Sequence, residues 1–174
     1  MATVVTTTYN GDTAITFDIS SLATSSTFVA GRNSTEIDNT SNKFVDCIVD
    51  VEGITGHAST APTVGQVIQL WVAGNDTSFA TKVIGGSGAI DGVDGACTLP
   101  HVSVMQSLRL AGVTAVTVAT AGLVYYIQPF SVASLFGGVM PKFWCLYLAH
   151  NHTGALAASQ STLFNYNGIT YTST

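Results

Sequence analysis

Four histidines are the residues of this chain with the widest chemical range, and two of them stand as His150-Asn151-His152. At i and i+2 on a strand, two imidazoles project from the same side and can share a metal ion. A third ligand has to come from elsewhere, from His57, His101 or a loop aspartate. Nothing in the spacing requires one, so the expectation is structural histidines and no bound metal. Asn75-Asp76-Thr77 and Asp91-Gly92-Val93-Asp94-Gly95 are the acidic loops where a hard cation would be sought. Calcium takes about six to eight oxygens, and Asp91 with Asp94 supply too few. No Gly-x-Ser-x-Gly elbow occurs, and no glycine-rich run ends in Lys-Ser or Lys-Thr. Asp46, Asp50 and Glu52 share one side of one run, whereas glycosidic cleavage needs carboxyls that flank the substrate. These residues lead away from catalysis, and no cofactor is expected.

The segments that must position them read almost throughout as strands. Ala2–Tyr9 and Thr13–Ile19 are β-branched runs separated by the turn signal Asn10-Gly11-Asp12. Phe44–Glu52 sets Val45, Cys47, Val49 and Val51 on one face and Asp46, Asp50 and Glu52 on the other, which predicts a strand with one wet face. Gln66–Val72 groups Ile68, Leu70 and Val72 opposite Gln69 and Trp71. Val102–Leu110, Val113–Ala119, Leu123–Gln128, Lys142–Ala149 and Thr162–Tyr171 complete the set, with a tight hairpin expected at Asn167-Gly168. Around Lys142–Leu148 both faces are apolar, so that strand must lie between two layers or beneath a partner. Helical turns are expected only at Ser20–Thr24 and at Ser131–Phe136, the latter opened by a capping serine and closed by Gly137-Gly138. The expectation is an all-β chain: one antiparallel β-sandwich or jelly-roll-like domain over residues 1–174, with one or two short helical turns. Residues 1–10 are expected to form an N-terminal arm or an edge strand.

Composition narrows the function classes. Only 9% of the 174 residues are charged, against about a quarter in an ordinary soluble domain, while 47% are hydrophobic. Thr, Ser, Asn and Gly do the polar work, and they form contacts without the cost of stripping water from ions. Such a surface suits coverage by other protein. The net charge is −5, and the five basic residues, Arg32, Lys43, Lys82, Arg109 and Lys142, are dispersed. No basic stripe exists to neutralise phosphates, so neither nucleic acid nor an anionic membrane surface is expected as a partner. The opening residues lack a basic region before an apolar core, so no signal peptide is expected. The uncharged stretch Leu110–Ile127 is broken by Gly112 and Gly122 and alternates with period two, which suits strands rather than a membrane span. Cys47, Cys97 and Cys145 are odd in number and far apart, and are read as reduced thiols.

Two segments resemble a known group. Ser34-Thr35-Glu36-Ile37-Asp38-Asn39, followed by an acidic strand, resembles the STEIDN element of small tailed-phage virion proteins. Ser131–Trp144, running on to His150-Asn151 and Thr153-Gly154, is similar to the LFGGVLPK…W…HN-TG block of the same group, in the same order. Met140 stands where leucine is usual, Cys145 where glycine is common, and His152 is inserted. The resemblance implies a non-enzymatic virion structural protein: a capsid decoration (cement) protein, made in the host cytoplasm, that binds the major capsid protein on the shell exterior as a homo-oligomer. It carries over no catalytic residue. Candidate contact residues are Ser34, Thr35, Glu36, Asp38 and Asn39 in the first segment and Asp46, Asp50 and Glu52 on the wet strand face. The alternatives are a tail or fibre module that stacks host glycans on Trp71 or tyrosines, and a metal-dependent jelly-roll hydrolase built on the histidines.

Overall fold

A strand with apolar residues on both faces has to be covered twice, and Phe143–His150 is such a strand. In the computed structural model, which describes Val5–Ser173, every residue from Trp144 to His150 is buried. Its neighbours follow in chain order: β1 (Val5–Ala14), β2 (Ala30–Asn33), β3 (Ile37–Asp38), β4 (Asp46–Val51), β5 (Ile54–Thr55), β6 (Val67–Asn75), β7 (Gly95–Thr98), β8 (Arg109–Ala115), β9 (Val124–Tyr125), β10 (Phe130–Ser131), β11 (Phe143–His150) and β12 (Phe164–Ser173). Helix is confined to a 3-10 segment, Val102–Ser107, and one α-helical turn, α1 (Val132–Leu135). None of the helices among the described residues is long and apolar enough to cross a membrane.

The strands form an antiparallel sandwich. One sheet has the order β1-β12-β4-β10, the facing one β7-β2-β11-β6-β8 with β3 also paired to β11, and β5 and β9 form a separate two-stranded pair. With β3, β5, β7 and β9 counted as additions to an eight-strand frame, the first sheet takes its first, last, third and sixth strands, and the second takes the other four. That interleaving is the double Greek key of a jelly roll, and it closes the chain's two ends onto one sheet as β1 and β12. Between the sheets lie Cys47, Val49 and Val51 of β4, Phe164 and Tyr166 of β12, Ile68, Leu70 and Val72 of β6, and Trp144, Leu146 and Leu148 of β11. Trp144 meets Tyr166 edge-on at 5.7 Å.

A second core covers the other face of β11. Cys145, Tyr147 and Ala149 pack beneath residues 76–108, which contribute Phe79, Ile90, Leu99, Met105 and Leu108. The cover for this strand therefore comes from the chain itself. Gly31 allows the fit, because a β-carbon there would strike the Leu148 carbonyl and the Tyr147 ring. The Tyr147 hydroxyl, carried into the apolar layer, donates to the Phe28 carbonyl at 2.7 Å. All three cysteines are free and buried in these layers. Burial pushes the Cys47 and Cys97 thiols up to about 12, so they pack as small hydrophobes and not as nucleophiles.

The element expectations hold for Gln66–Val72, Phe44–Glu52, Lys142–Ala149 and the capped turn at Ser131, and four fail for identifiable reasons. Ala2–Val4 of the first expected strand lie outside the described residues. Asn10-Gly11-Asp12 does not reverse the chain: Gly11, at φ +81°, forms a bulge within β1, because β12 offers it a full-length partner. Asn167-Gly168 is likewise mid-strand, held between β1 and β4, and Gly168 leaves room for the Phe44 ring where a side chain would stand. Val102–Leu110 begins as a 3-10 turn and not a strand, since the His101 side chain accepts from the Ser103 amide and Met105 and Leu108 bury at a spacing of three. Ser20–Thr24 gives a tight turn with Ser21 at φ +54° and no helix.

Removal of a large side chain from either face of β11 tests whether both layers belong to one core. Leu146→Ala on the inner face is expected to lose about 2–5 kcal/mol and Tyr147→Ala on the outer face about 3 kcal/mol or more, each in one cooperative urea transition. A loss under about 1 kcal/mol for Tyr147→Ala would mean that residues 76–108 are only loosely seated.

Candidate functional site

The two segments that carry the resemblance, far apart in sequence, are hydrogen-bonded to each other. Trp144 pairs with Ile37 and Phe143 with Asp38, and the Asn39 amide donates to the Lys142 carbonyl at 2.8 Å. Ser34 is fully buried: its amide donates to the Leu146 carbonyl, and its hydroxyl oxygen accepts from the Leu146 amide at 2.9 Å. The small hydroxyl thus takes the place of a ladder partner where β2 gives way to β3. Asn39, also buried, closes the far end of the loop by bonding both backbone groups of Phe44, as acceptor from its amide at 2.8 Å and donor to its carbonyl at 3.0 Å.

Glu36 reaches out of this loop to a distant one. Its carboxylate accepts from the Ser78 hydroxyl at 2.9 Å and from the Phe79 amide, which anchors the loop that inserts Phe79 into the outer core. Asp38 accepts from the Thr40 hydroxyl and amide, and those bonds hold its carboxyl below the usual range. Of the first five candidate contact residues, Ser34 and Asn39 are therefore inside and Glu36 is half-buried and engaged, while Thr35 and Asp38 are exposed. Thr35, Glu36, Ile37 and Asp38 border a groove of about 230 Å³ against Thr13–Thr16 and Tyr166.

The wet face of β4 divides in the same way. Asp46 accepts from the Ser131 hydroxyl at 2.6 Å and the Ala133 amide at 2.9 Å, so it caps α1 together with Ser131. Asp50 and Glu52 are exposed, Asp50 standing opposite Asn165. Just past α1, Phe136, Val139, Met140, Pro141 and Lys142 of the second segment form an open, mainly apolar groove of about 470 Å³ with Gly74–Asp76. Its most prominent member is Val139, which is 71% exposed. Arg109 lies over the Phe136 ring at 5.8 Å and supports the groove from behind.

The histidines have separate structural tasks. The His57 ring accepts from the Ser59 and Thr60 amides, and His101 caps the 3-10 turn. His150 bonds the Leu22 carbonyl through Nε2 at 2.9 Å and receives the His152 amide at Nδ1. His152 is buried against Tyr125 and His150, with neither ring nitrogen bonded to another protein group. Among the described residues no three His, Cys, Asp or Glu side chains converge as metal ligands. The acidic loops are also engaged: Asp91 accepts from Asn33 and the Val93 amide, and Asp94 from the Asp18 amide. Trp71, a candidate sugar platform, is half-buried and packs on the outer core, its indole donating to Gln69.

One feature had only a partial sequence signal. β1 is exposed along its whole length, and beyond Ile169, where β12 leaves β4, Val5–Thr8 and Thr170–Ser173 continue as a two-stranded ribbon. On the face continuous with the inside of the sandwich, β12 changes from Phe164 and Tyr166 to Thr170 and Thr172 at the point where its pairing with β4 ends. On the other face Val5, Tyr9 and Tyr171 are 61%, 64% and 61% exposed. The change from aromatic to threonine along one strand is the sequence trace of that projection. No family model, curated protein or solved structure matches this chain.

Two outcomes test these assignments. Glu36→Ala is expected to cost about 1.5–3 kcal/mol and to speed amide hydrogen exchange in residues 78–84 before the sheets are affected. Burial and the neighbouring His150 push His152 down to about 4, and burial lowers His150 as well. The unfolded chain protonates near pH 6.5, so stability is lost as pH falls from about 6.5 towards about 4. The urea midpoint should drop between pH 7 and pH 5, and drop less in His152→Phe; equal drops in both proteins would remove His152 from the effect.

Proposed function

We propose that this chain is a non-enzymatic virion structural protein, a capsid decoration protein that binds the assembled major-capsid shell from outside. The observation that carries the proposal is the β1–β12 ribbon: a ten-residue strand with no buried residue, displayed by a chain with few charges to keep neighbours away. Where Val5–Thr8 and Thr170–Ser173 run on beyond β4 as two strands alone, little packing holds them, so that end of the ribbon makes sense when a neighbour completes it. The direct pairing of the Ser34–Asn39 segment with the Lys142–Leu146 region adds support, because the resemblance then rests on one structural unit and not on two coincidental strings. Jelly rolls serve viral capsids and also lectins and enzymes, so the fold alone carries little weight.

On this reading the shell supplies the binding energy through repetition. Each copy makes modest contacts, and occupancy of many lattice sites stabilises the assembled state by mass action. Exposed Asp50 and Glu52 and the open groove around Val139 are the surfaces best placed to meet the capsid protein, whereas Ser34, Asn39 and Asp46 act by holding those surfaces in shape.

The test is direct addition of purified protein to emptied, undecorated shells. Saturable co-sedimentation at hundreds of copies per particle and a higher disruption temperature are expected. Asp50→Lys combined with Glu52→Lys should weaken binding by about tenfold or more while leaving the urea midpoint within about 0.5 kcal/mol of the parent. A handful of copies at the tail, or binding to surface glycans with none to shells, would favour a host-recognition module instead.

A further inference from the structure

The outer edge of β1 pairs with no strand among the described residues. Most open edges in this fold are blunted: β10 has two residues, β7 has four, and β8 starts on Arg109 and shifts register along β6. Over Val5–Tyr9, β1 has no charge, no proline and no bulge. A row of free backbone amides and carbonyls selects one kind of occupant, an extended strand.

The side chains of β1 indicate which strand. Val5, Thr7 and Tyr9 lie on the face shared with Ile169 and Tyr171, while Thr6 and Thr8 lie on the other with Thr170 and Thr172. The Thr6 and Thr172 hydroxyls already bond each other at 2.8 Å. We propose that β1 pairs antiparallel with β1 of a second copy of this chain, about a twofold axis through Thr7, which joins two four-stranded sheets into one of eight strands. In that register Val5 of each copy stands opposite Tyr9 of the other, an aromatic and β-branched cross-strand pair, and Thr6 stands opposite Thr8 to widen the threonine ladder. The segment is self-complementary. Two chains of net charge −5 meet along a stretch without charge, since the nearest acid, Asp12, lies beyond the bulge at Gly11. An isologous contact consumes both free edges at once, so pairing stops at two copies rather than running on as a fibre. Tyr9 and Tyr171 also wall a groove of about 510 Å³ that reaches Ala133 and Ser134 on α1, so a strand added at β1 extends an already shaped surface.

Thr7 gives a clean test, because it is exposed and its two copies meet at the axis. Sedimentation velocity of the full-length chain is expected to give a dimer. Thr7→Glu and Thr7→Lys should each raise the dissociation constant by about a hundredfold or more, with melting unchanged at dilutions where the wild type is itself dissociated, and an equal mixture of the two should recover the dimer. As the native thiols are buried, Thr7→Cys should cross-link under mild oxidation and Thr8→Cys should not. A monomeric wild type, a Thr7→Glu protein that still dimerises, or preferential cross-linking through Thr8→Cys would each overturn the pairing. A monomeric wild type whose shell binding is abolished by Thr7→Glu would assign the edge to the capsid protein instead. With the edge taken by a second copy, shell binding falls to the Asp50, Glu52 and Val139 surfaces, and the same variants report it separately.

Discussion

The double burial of β11 is the constraint on which the other elements depend. A strand with a wet face needs one layer over it, but Trp144, Leu146 and Leu148 point into the sandwich while Cys145, Tyr147 and Ala149 point out of it. Its edges are taken by β2 and β3 on one side and β6 on the other. Both side-chain layers and both backbone edges are thereby satisfied within one chain, as a buried strand demands. The irregular stretch 76–108 follows from this. It contains little strand, yet it inserts Phe79, Ile90 and Leu99 because the outer face of β11 has no other cover.

Polar residues near that strand serve the same end. Ser34, Asn39 and Glu36 look like recognition residues in a sequence, because short polar side chains in a loop are the usual material of contact surfaces. In the structure their bonds run inward, to Leu146, Phe44 and Phe79, and each satisfies backbone groups that the loop would otherwise leave buried without partners. Asp46 does likewise for α1. The exposed surface is left to Thr, Ser, Val and a few carboxylates, with one ion pair among the described residues, Lys82–Asp76 at 3.7 Å between two exposed side chains. Such a pair adds little stability.

The interior and the ribbon thus follow opposite rules. Inside, two apolar layers and a set of capped turns fix the shape of the loops. Outside, β1 and the end of β12 carry threonines and tyrosines with no layer over them, a state suited to completion by protein and poorly suited to solitary life in water. The surface of this module presents shape and backbone more than charge.

Much of the scaffold was legible in the residues themselves. Period-two alternation placed β4 and β6, and the capping serine with paired glycines placed α1, because these signals depend on which side of a short segment meets water. The run 142–148, apolar on both sides, announced a strand that meets water on neither face. Strand order, the through-running bulge at Gly11 and the straight passage at Gly168 were not legible, since an Asn-Gly pair turns or bulges according to the partner strand beside it. Nor did the sequence separate Asp46 from Asp50, two carboxylates on one face of one strand, for only the approach of α1 engages the first and leaves the second in water. Local pattern is set by a residue's own side chain; pairing and engagement are set by what the rest of the chain brings to it.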